Sequence, residues 1–294
     1  MLLQSMPDPT LPVRAATETA LAHGIRPDRC DILQNSSTLV VRLTETLVAR
    51  VVQDREGPRQ GTEWFARENA IALHLTQNGA PVISLHPDLP PGPHEHLGYP
   101  LNFWEFVTRI DVEPDPREIG LTLKKCHEVM RSFPEPLPHL AILSESLAIL
   151  EDRPLFPSAT QEMLKRHLRT SLERLADCPT QALHGDAHAG NLMNTTRGLL
   201  WTDWEDTFAG PVEWDLASII WNAQLLDDDH ATVSAIREAY GPVNEEILRQ
   251  CLIARAAVIS AWYPILYPQP GEDRREKLRR RIEWLEVRCG EVTV

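Results

Sequence analysis

Leu183-His184-Gly185-Asp186-Ala187-His188-Ala189-Gly190-Asn191, followed shortly by Leu199-Leu200-Trp201-Thr202-Asp203, decides how the rest of this chain is read. The first stretch is a loop carrying Asp-x-x-x-x-Asn. The second is a short apolar strand that ends in another Asp. Phosphoryl transfer calls for such a set: a carboxylate to orient the acceptor hydroxyl, and an Asn and a second Asp to hold Mg²⁺ against the phosphates. A rival reading takes His184, Asp186 and His188 as ligands of one metal in a phosphoesterase-like site.

The spacing of His184, Asp186 and Asn191 fits the protein-kinase catalytic loop, H-R-D-x-x-x-x-N, with Gly185 in place of the Arg. Downstream, Gly210-Pro211-Val212-Glu213-Trp214-Asp215-Leu216-Ala217 adds a further match. Together these segments resemble the aminoglycoside phosphotransferase and choline kinase group of small-molecule kinases. Weaker echoes lie upstream, in Arg67-Glu68-Asn69-Ala70-Ile71-Ala72-Leu73 and Gly79-Ala80-Pro81-Val82.

The resemblance implies an α+β fold: a two-lobe, protein-kinase-like architecture with a small β-rich N-terminal lobe and a mostly helical C-terminal lobe. Element order agrees. Ala15 to His23 reads as a short helix ended by Gly24. The β-branched runs Thr38–Leu43 and Thr46–Val52 read as an antiparallel hairpin. Glu63 to Gln77 reads as a helix stopped at Asn78-Gly79. A Pro- and His-rich loop, His86 to His96, leads into a strand over Tyr99 to Val107. From Asp115 the pattern is helical, with candidates at Arg117–Phe133, Leu140–Glu151, Ser158–Ala176, Glu213–Leu226, His230–Tyr240, Glu245–Trp262 and Asp273–Val287. The expected division is 1–107 for a nucleotide-binding lobe and 108–294 for a catalytic and acceptor-binding lobe.

Composition sets outer limits. The chain has 294 residues, 43% of them hydrophobic, enough for one large or two modest domains. Its formal charge of −13 argues against nucleic acid or an anionic membrane as partner. Five cysteines without a C-x-x-C pair argue against a disulfide framework or structural zinc, and a reducing cytoplasm is the default. No run of about 18 apolar residues suggests a membrane span, and the N-terminus reads as no signal peptide.

The resemblance then assigns roles. Asp186 is the expected catalytic carboxylate, and Asn191 and Asp203 are the expected metal ligands. His184, His188 and Asp215 are expected to order the loop. Arg50 stands where protein kinases carry a phosphate-binding Lys, with Glu68 on the following helix as its partner. A planar fork replaces a point charge there. Glu105 and Val107 fall at the inter-lobe hinge, where a backbone edge would meet a purine. No G-x-G-x-x-G covers the hairpin; Gln34-Asn35-Ser36-Ser37 precedes its first strand.

Only six residues separate Asp203 from Gly210, too few for a peptide-docking activation segment. The expected activity is therefore Mg²⁺-dependent transfer of a γ-phosphate from ATP, or GTP, to a hydroxyl of a small molecule. An aminoglycoside or other amino sugar is the first expectation for that acceptor, and a choline-like amino alcohol the second. Trp204 and Glu205 are candidates to bind it, with Trp221, Asp227, Asp228, Trp262 and Tyr263 as further possibilities. A nucleotide-binding protein without catalysis would not need Asp186, Asn191 and Asp203 together.

Overall fold

Leu47, Ala49 and Val51 alternate with Val48, Arg50 and Val52 along one strand, and that alternation positions Arg50. The structure, a computed structural model, describes residues 8–53, 62–227 and 229–288. The N-terminal stretch from Met1 to Pro7, Asp228 and Cys289 lie outside the described residues. The chain divides into two units: Met1–Glu113 with Met193–Glu205, and Pro114–Leu192 with Asp206–Val294.

The first unit opens with α1 (Thr10–Ala22), then β1 (Asp31–Asn35), β2 (Thr38–Arg42) and β3 (Leu47–Val52). Helix α2 (Glu63–Gln77), β4 (His94–His96) and β5 (Tyr99–Glu105) follow. The five strands form one antiparallel sheet in the order β1-β2-β3-β5-β4. Leu39, Val41, Leu47, Ala49, Val51, Leu101 and Phe103 share a core with Ala15, Ala16 and Ala20 of α1. Side chains alternate between the two faces of a strand. The intervening residues, Arg50 and its register partner Asn102, therefore belong to the opposite face.

Two strands differ from the sequence expectation. Gln34 and Asn35 do not simply precede the sheet; they end β1, which pairs with β2. Four of its five residues are exposed, so no apolar alternation announced it. The last three residues of the His86–His96 segment form β4 for the same reason, with backbone pairing to β5 and little apolar burial.

The second unit is helical: α3 (Pro116–Met130), α4 (Ala141–Asp152), α5 (Ser158–Leu175), α6 (Glu213–Leu225), α7 (His230–Tyr240), α8 (Glu245–Leu266) and α9 (Glu272–Arg288). Asp115 caps α3 by accepting the Arg117 N–H at 2.9 Å, with Pro116 in the first turn. Asn244 caps α8 by accepting the N–H groups of Glu246 and Ile247. Helix α8 packs on α4, α5, α6 and α9 and is buried over most of its length, including Arg255. A helix apolar on most sides sits inside its domain, and a lone charge on it needs a partner.

Two short ladders frame the loop of interest. β6 (Gln181–Ala182) pairs with β9 (Ala209–Gly210) in the second unit. β7 (Leu192–Thr195) pairs with β8 (Gly198–Trp201), a hairpin lying almost wholly in the first unit. The Ile83 N–H donates to the Trp201 carbonyl at 3.0 Å, tying β8 to the segment after α2. No helix among the described residues is long and apolar enough to cross a membrane.

Candidate active site

In the second unit, the loop after β6 is held from below by α6. Asp215, fully buried, accepts the backbone N–H of His184 at 2.7 Å and of Gly185 at 2.9 Å. His127 of α3 contacts the same carboxylate through Nε2 at 2.9 Å, and its Nδ1 lies 2.7 Å from the Tyr240 hydroxyl. Trp214 Nε1 donates to the Gly185 carbonyl at 2.7 Å. Gly185 has φ +85°, and a Cβ there would meet the Asp206 carbonyl oxygen at 2.0 Å. The Arg of the protein-kinase loop has no room here. Only glycine combines that backbone conformation with so close an approach.

Asp186 follows this clamp. Its Oδ1 accepts a hydrogen bond from Arg255 Nη2, and its Oδ2 lies 3.3 Å from His188 Nε2. The Gly190 N–H donates to His188 Nδ1 at 2.9 Å. That ring nitrogen is then an acceptor, so Nε2 carries the proton and faces Asp186 as a donor. Burial pushes the Asp186 carboxyl up, but the Arg255 charge and the His188 contact outweigh it and hold the carboxyl well below the usual range. His184 is fully buried, and its Nδ1 faces the Asp186 N–H at 3.4 Å. Asn191 donates through Nδ2 to the Asp186 carbonyl at 3.0 Å. That bond commits the amide nitrogen and leaves Oδ1 to ligate.

In the first unit, one guanidinium meets three carboxylates. Arg50 Nη1 donates to both oxygens of Glu68 at 2.8 and 2.7 Å, and Nη2 pairs with Glu205 and lies 3.1 Å from Asp203 Oδ1. Asn102 supports the pair, donating through Nδ2 to Glu68 at 3.2 Å and to Asn69 at 3.0 Å. Its Oδ1 accepts from Trp104 Nε1 at 2.8 Å. Burial pushes the Glu68 carboxyl up against the pull of Arg50, with the charges of Asp203 and Glu205 adding to the rise.

Asp203 adopts a left-handed backbone at φ +67°, unusual for a residue with a side chain. Its Oδ1 is buried and accepts no hydrogen bond. An acceptor without a donor, within a cluster of three carboxylates around a single cation, has the chemistry of a cation ligand. Asp203 Oδ1 thus suits a hard divalent ion.

The remaining candidates divide. Glu105 pairs with Arg197 at 3.2 Å, and the Val107 backbone makes no hydrogen bond among the described residues. Trp204, an acceptor-binding candidate, is entirely buried. Glu205 faces Arg50. Asp227 is exposed, and Trp262 donates to Ser146 at 3.0 Å. Sequence reading missed Arg255, Asn102 and His127. A lone Arg in the apolar run Cys251-Leu252-Ile253-Ala254-Arg255-Ala256-Ala257-Val258 was a usable signal for the first. The other two carried none, because their partners are distant in sequence.

A profile of the phosphotransferase enzyme family matches residues 17–251. The chain belongs to this family. It is 28% identical over 212 residues to a serine/threonine protein kinase RdoA of Salmonella typhimurium, an alignment covering 66% of this chain and 59% of that relative. The chain thus spans about three-fifths of the length of the curated relatives it matches. The amicoumacin kinase hAmiN, solved with AMP-PNP and Ca²⁺, superposes with a TM-score of 0.69 at 13% identity, covering 95% of this chain and 96% of that one. The choline kinase LicA of Streptococcus pneumoniae gives a TM-score of 0.64 at 15% identity, covering 92% and 98%. The chain is accordingly an α+β protein of protein-kinase-like fold.

Proposed function

We propose that this phosphotransferase moves the γ-phosphoryl group of a nucleoside triphosphate to a hydroxyl of a small molecule. The observation that carries this reading is the setting of Asp186: fixed by Arg255 at one oxygen and preceded by a loop clamped to Asp215. A carboxylate so held can accept a hydrogen bond from an incoming hydroxyl and take its proton as the oxygen attacks phosphorus. The bond between the γ-phosphorus and its bridging oxygen breaks, and the nucleoside diphosphate leaves. Arg50 Nη1 is committed to Glu68, so phosphate oxygens would be met through Nη2 in exchange for Glu205. The open backbone at Val107 supports purine binding, for ATP or GTP alike. Asn191 and Asp203 would hold Mg²⁺, which when bound neutralises charge developing on the phosphates.

The metallophosphoesterase alternative asks His184, Asp186 and His188 to share one metal. The geometry does not favour it. His184 faces the Asp186 backbone N–H, and Arg255 occupies one Asp186 oxygen.

A protein hydroxyl is the second reading, favoured by the name of the Salmonella relative. Against it stands the segment between Asp203 and Gly210, in which Trp204, Thr207 and Phe208 are all fully buried. A peptide-docking segment needs exposed backbone and side chains. Of the carboxylates expected to receive a cationic amino sugar, Glu205 pairs with Arg50 and Asp227 is exposed. The deciding experiment measures nucleoside diphosphate release with ATP or GTP over sugars, amino sugars, amino alcohols and a generic protein. Release dependent on a small hydroxylated acceptor supports the proposal. Release dependent only on protein would replace it with the second reading.

A further inference from the structure

Arg281 of α9 is 5% exposed, yet its Nε and Nη1 have no hydrogen-bond partner among the described residues. Its guanidinium lies 4.4 Å from the Trp221 ring centroid and 5.0 Å from that of Tyr263. Arg255 Nε is also buried and unpartnered, and its guanidinium lies 5.9 Å from the Trp214 ring. Trp214 and Trp221 are seven residues apart and so share one face of α6. At 1.5 Å rise per residue, the two tryptophans are about 10 Å apart along that helix.

Leaving a buried guanidinium unpaired is expensive, and stacking on aromatic rings satisfies its faces but not its N–H edge. Burial lowers the Arg281 guanidinium to about 10, against the help of the Tyr263 hydroxyl, so it remains charged at neutral pH. The free donors lie on a planar fork, the shape that matches carboxylate and phosphate oxygens. The rings beneath would hold the fork in plane for such a group.

We propose that Arg281 recognises an anionic group on the acceptor, a carboxylate or a phosphate ester. This rests on the phosphotransferase reading. Asp186 is paired with Arg255 beside Trp214, and Arg281 stacks on Trp221 two helical turns further along α6, a step of roughly 10 Å that a sugar-sized or slightly longer molecule would bridge. The acceptor is then an acidic or zwitterionic hydroxylated compound, in contrast to a polycationic amino sugar.

The test uses the full chain with ATP and Mg²⁺, and four probes: glucuronate, glucose 6-phosphate, glucose and glucosamine. Binding is followed by calorimetry and transfer by ADP release, for wild type, Arg281→Met and Arg281→Lys. The expected result is tighter binding of one or both anionic probes than of glucose and glucosamine, by about tenfold or more. The carboxylate and phosphate arms tell which anion is taken. Arg281→Met should remove that preference through KM while the KM for ATP stays put. Its thermal midpoint should equal or exceed that of wild type, because an unsatisfied buried charge has gone. A purely structural Arg281 would instead lower the midpoint and leave the ranking of probes unchanged, and that result overturns the proposal. Should Arg281→Met not fold, the wild-type ranking and Arg281→Lys decide: equal or weaker binding of both anions also overturns it. Anion binding that depends on Arg281, with no transfer to any hydroxyl, would keep the anion site and refute the phosphotransferase reading.

Discussion

Asp215 Oδ1 accepts the Gly185 N–H at 2.9 Å, while Oδ2 of the same carboxylate takes the His184 N–H at 2.7 Å. One buried side chain at the start of α6 thus satisfies two consecutive amides just before Asp186. Removing it leaves both amides, and His127 Nε2, without an acceptor in a place water does not reach. Each orphaned group costs about 1–3 kcal/mol. Asp215→Ala is therefore expected to lose at least roughly 3 kcal/mol of unfolding free energy in urea, with transfer activity lost as well. A loss under about 1 kcal/mol would mean that the loop does not lean on Asp215.

Gly185 and Gly198 provide a matched pair of substitutions. Both have positive φ, at +85° and +99°, but a Cβ at Gly198 meets nothing within 4 Å, whereas one at Gly185 meets the Asp206 backbone. Gly198→Ala should cost only the backbone term, about 1–2 kcal/mol. Gly185→Ala must in addition displace Asp206, and is expected to cost clearly more and to reduce kcat. Equal costs at the two sites would show that the crowding around Gly185 relaxes freely.

Much of this was legible because the informative signals are local. The β-branched run from Thr46 to Val52 announced β3, and the helix expected from Glu63 ended at Asn78-Gly79, where α2 stops. Asp186, Asn191 and Asp203 were visible by spacing. The strands β1 and β4 were not visible, because their pairing is carried by backbone and few of their side chains are buried. Arg255 and Asn102 escaped for a different reason. What they do is set by partners 69 and 34 residues away, Asp186 and Glu68, and no periodicity encodes such a pairing.

The cluster around Arg50 predicts a pH dependence of stability. Glu68 has a folded pKa above its ordinary value of 4.5. A group raised in this way contributes its full stability below the unfolded value and loses it as pH rises through the folded one. In metal-free buffer without nucleotide, the thermal midpoint should therefore carry a component that falls between about pH 5 and about pH 8. Glu68→Gln should flatten that slope. An unchanged slope in the variant would show that Glu68 titrates with its ordinary value.

On the proposed reading, Asp203 would link the same cluster to a divalent metal. Mg²⁺ should strengthen ATP or GTP binding to the wild-type protein, and Asp203→Ala should abolish most of that strengthening in calorimetric titrations. The motive is the buried Oδ1 that accepts no hydrogen bond, on a residue held at φ +67°. Equal enhancement by Mg²⁺ in both proteins would remove Asp203 from the metal site.

The strongest demand falls on Asp186 and Arg255. Asp186→Asn should lower kcat by about 10²–10⁴-fold, because an amide cannot take the acceptor proton. It should also destabilise the fold, since Arg255 would be left buried without its counter-charge. Arg255 acts through Asp186 on this account, and a pH profile separates that role from a merely structural one. With Arg255 present, the Asp186 carboxyl lies well below the usual range despite its burial. In Arg255→Met the largest restraint on that carboxyl is gone and burial pushes it up. The acidic limb of the kcat profile should then move to higher pH, with the maximum displaced toward the alkaline side. An Arg255→Met profile that is lower but unmoved would assign Arg255 to packing alone. Loss of activity in Asp186→Asn by only a few-fold would remove Asp186 from the chemistry and take the Arg255 argument with it.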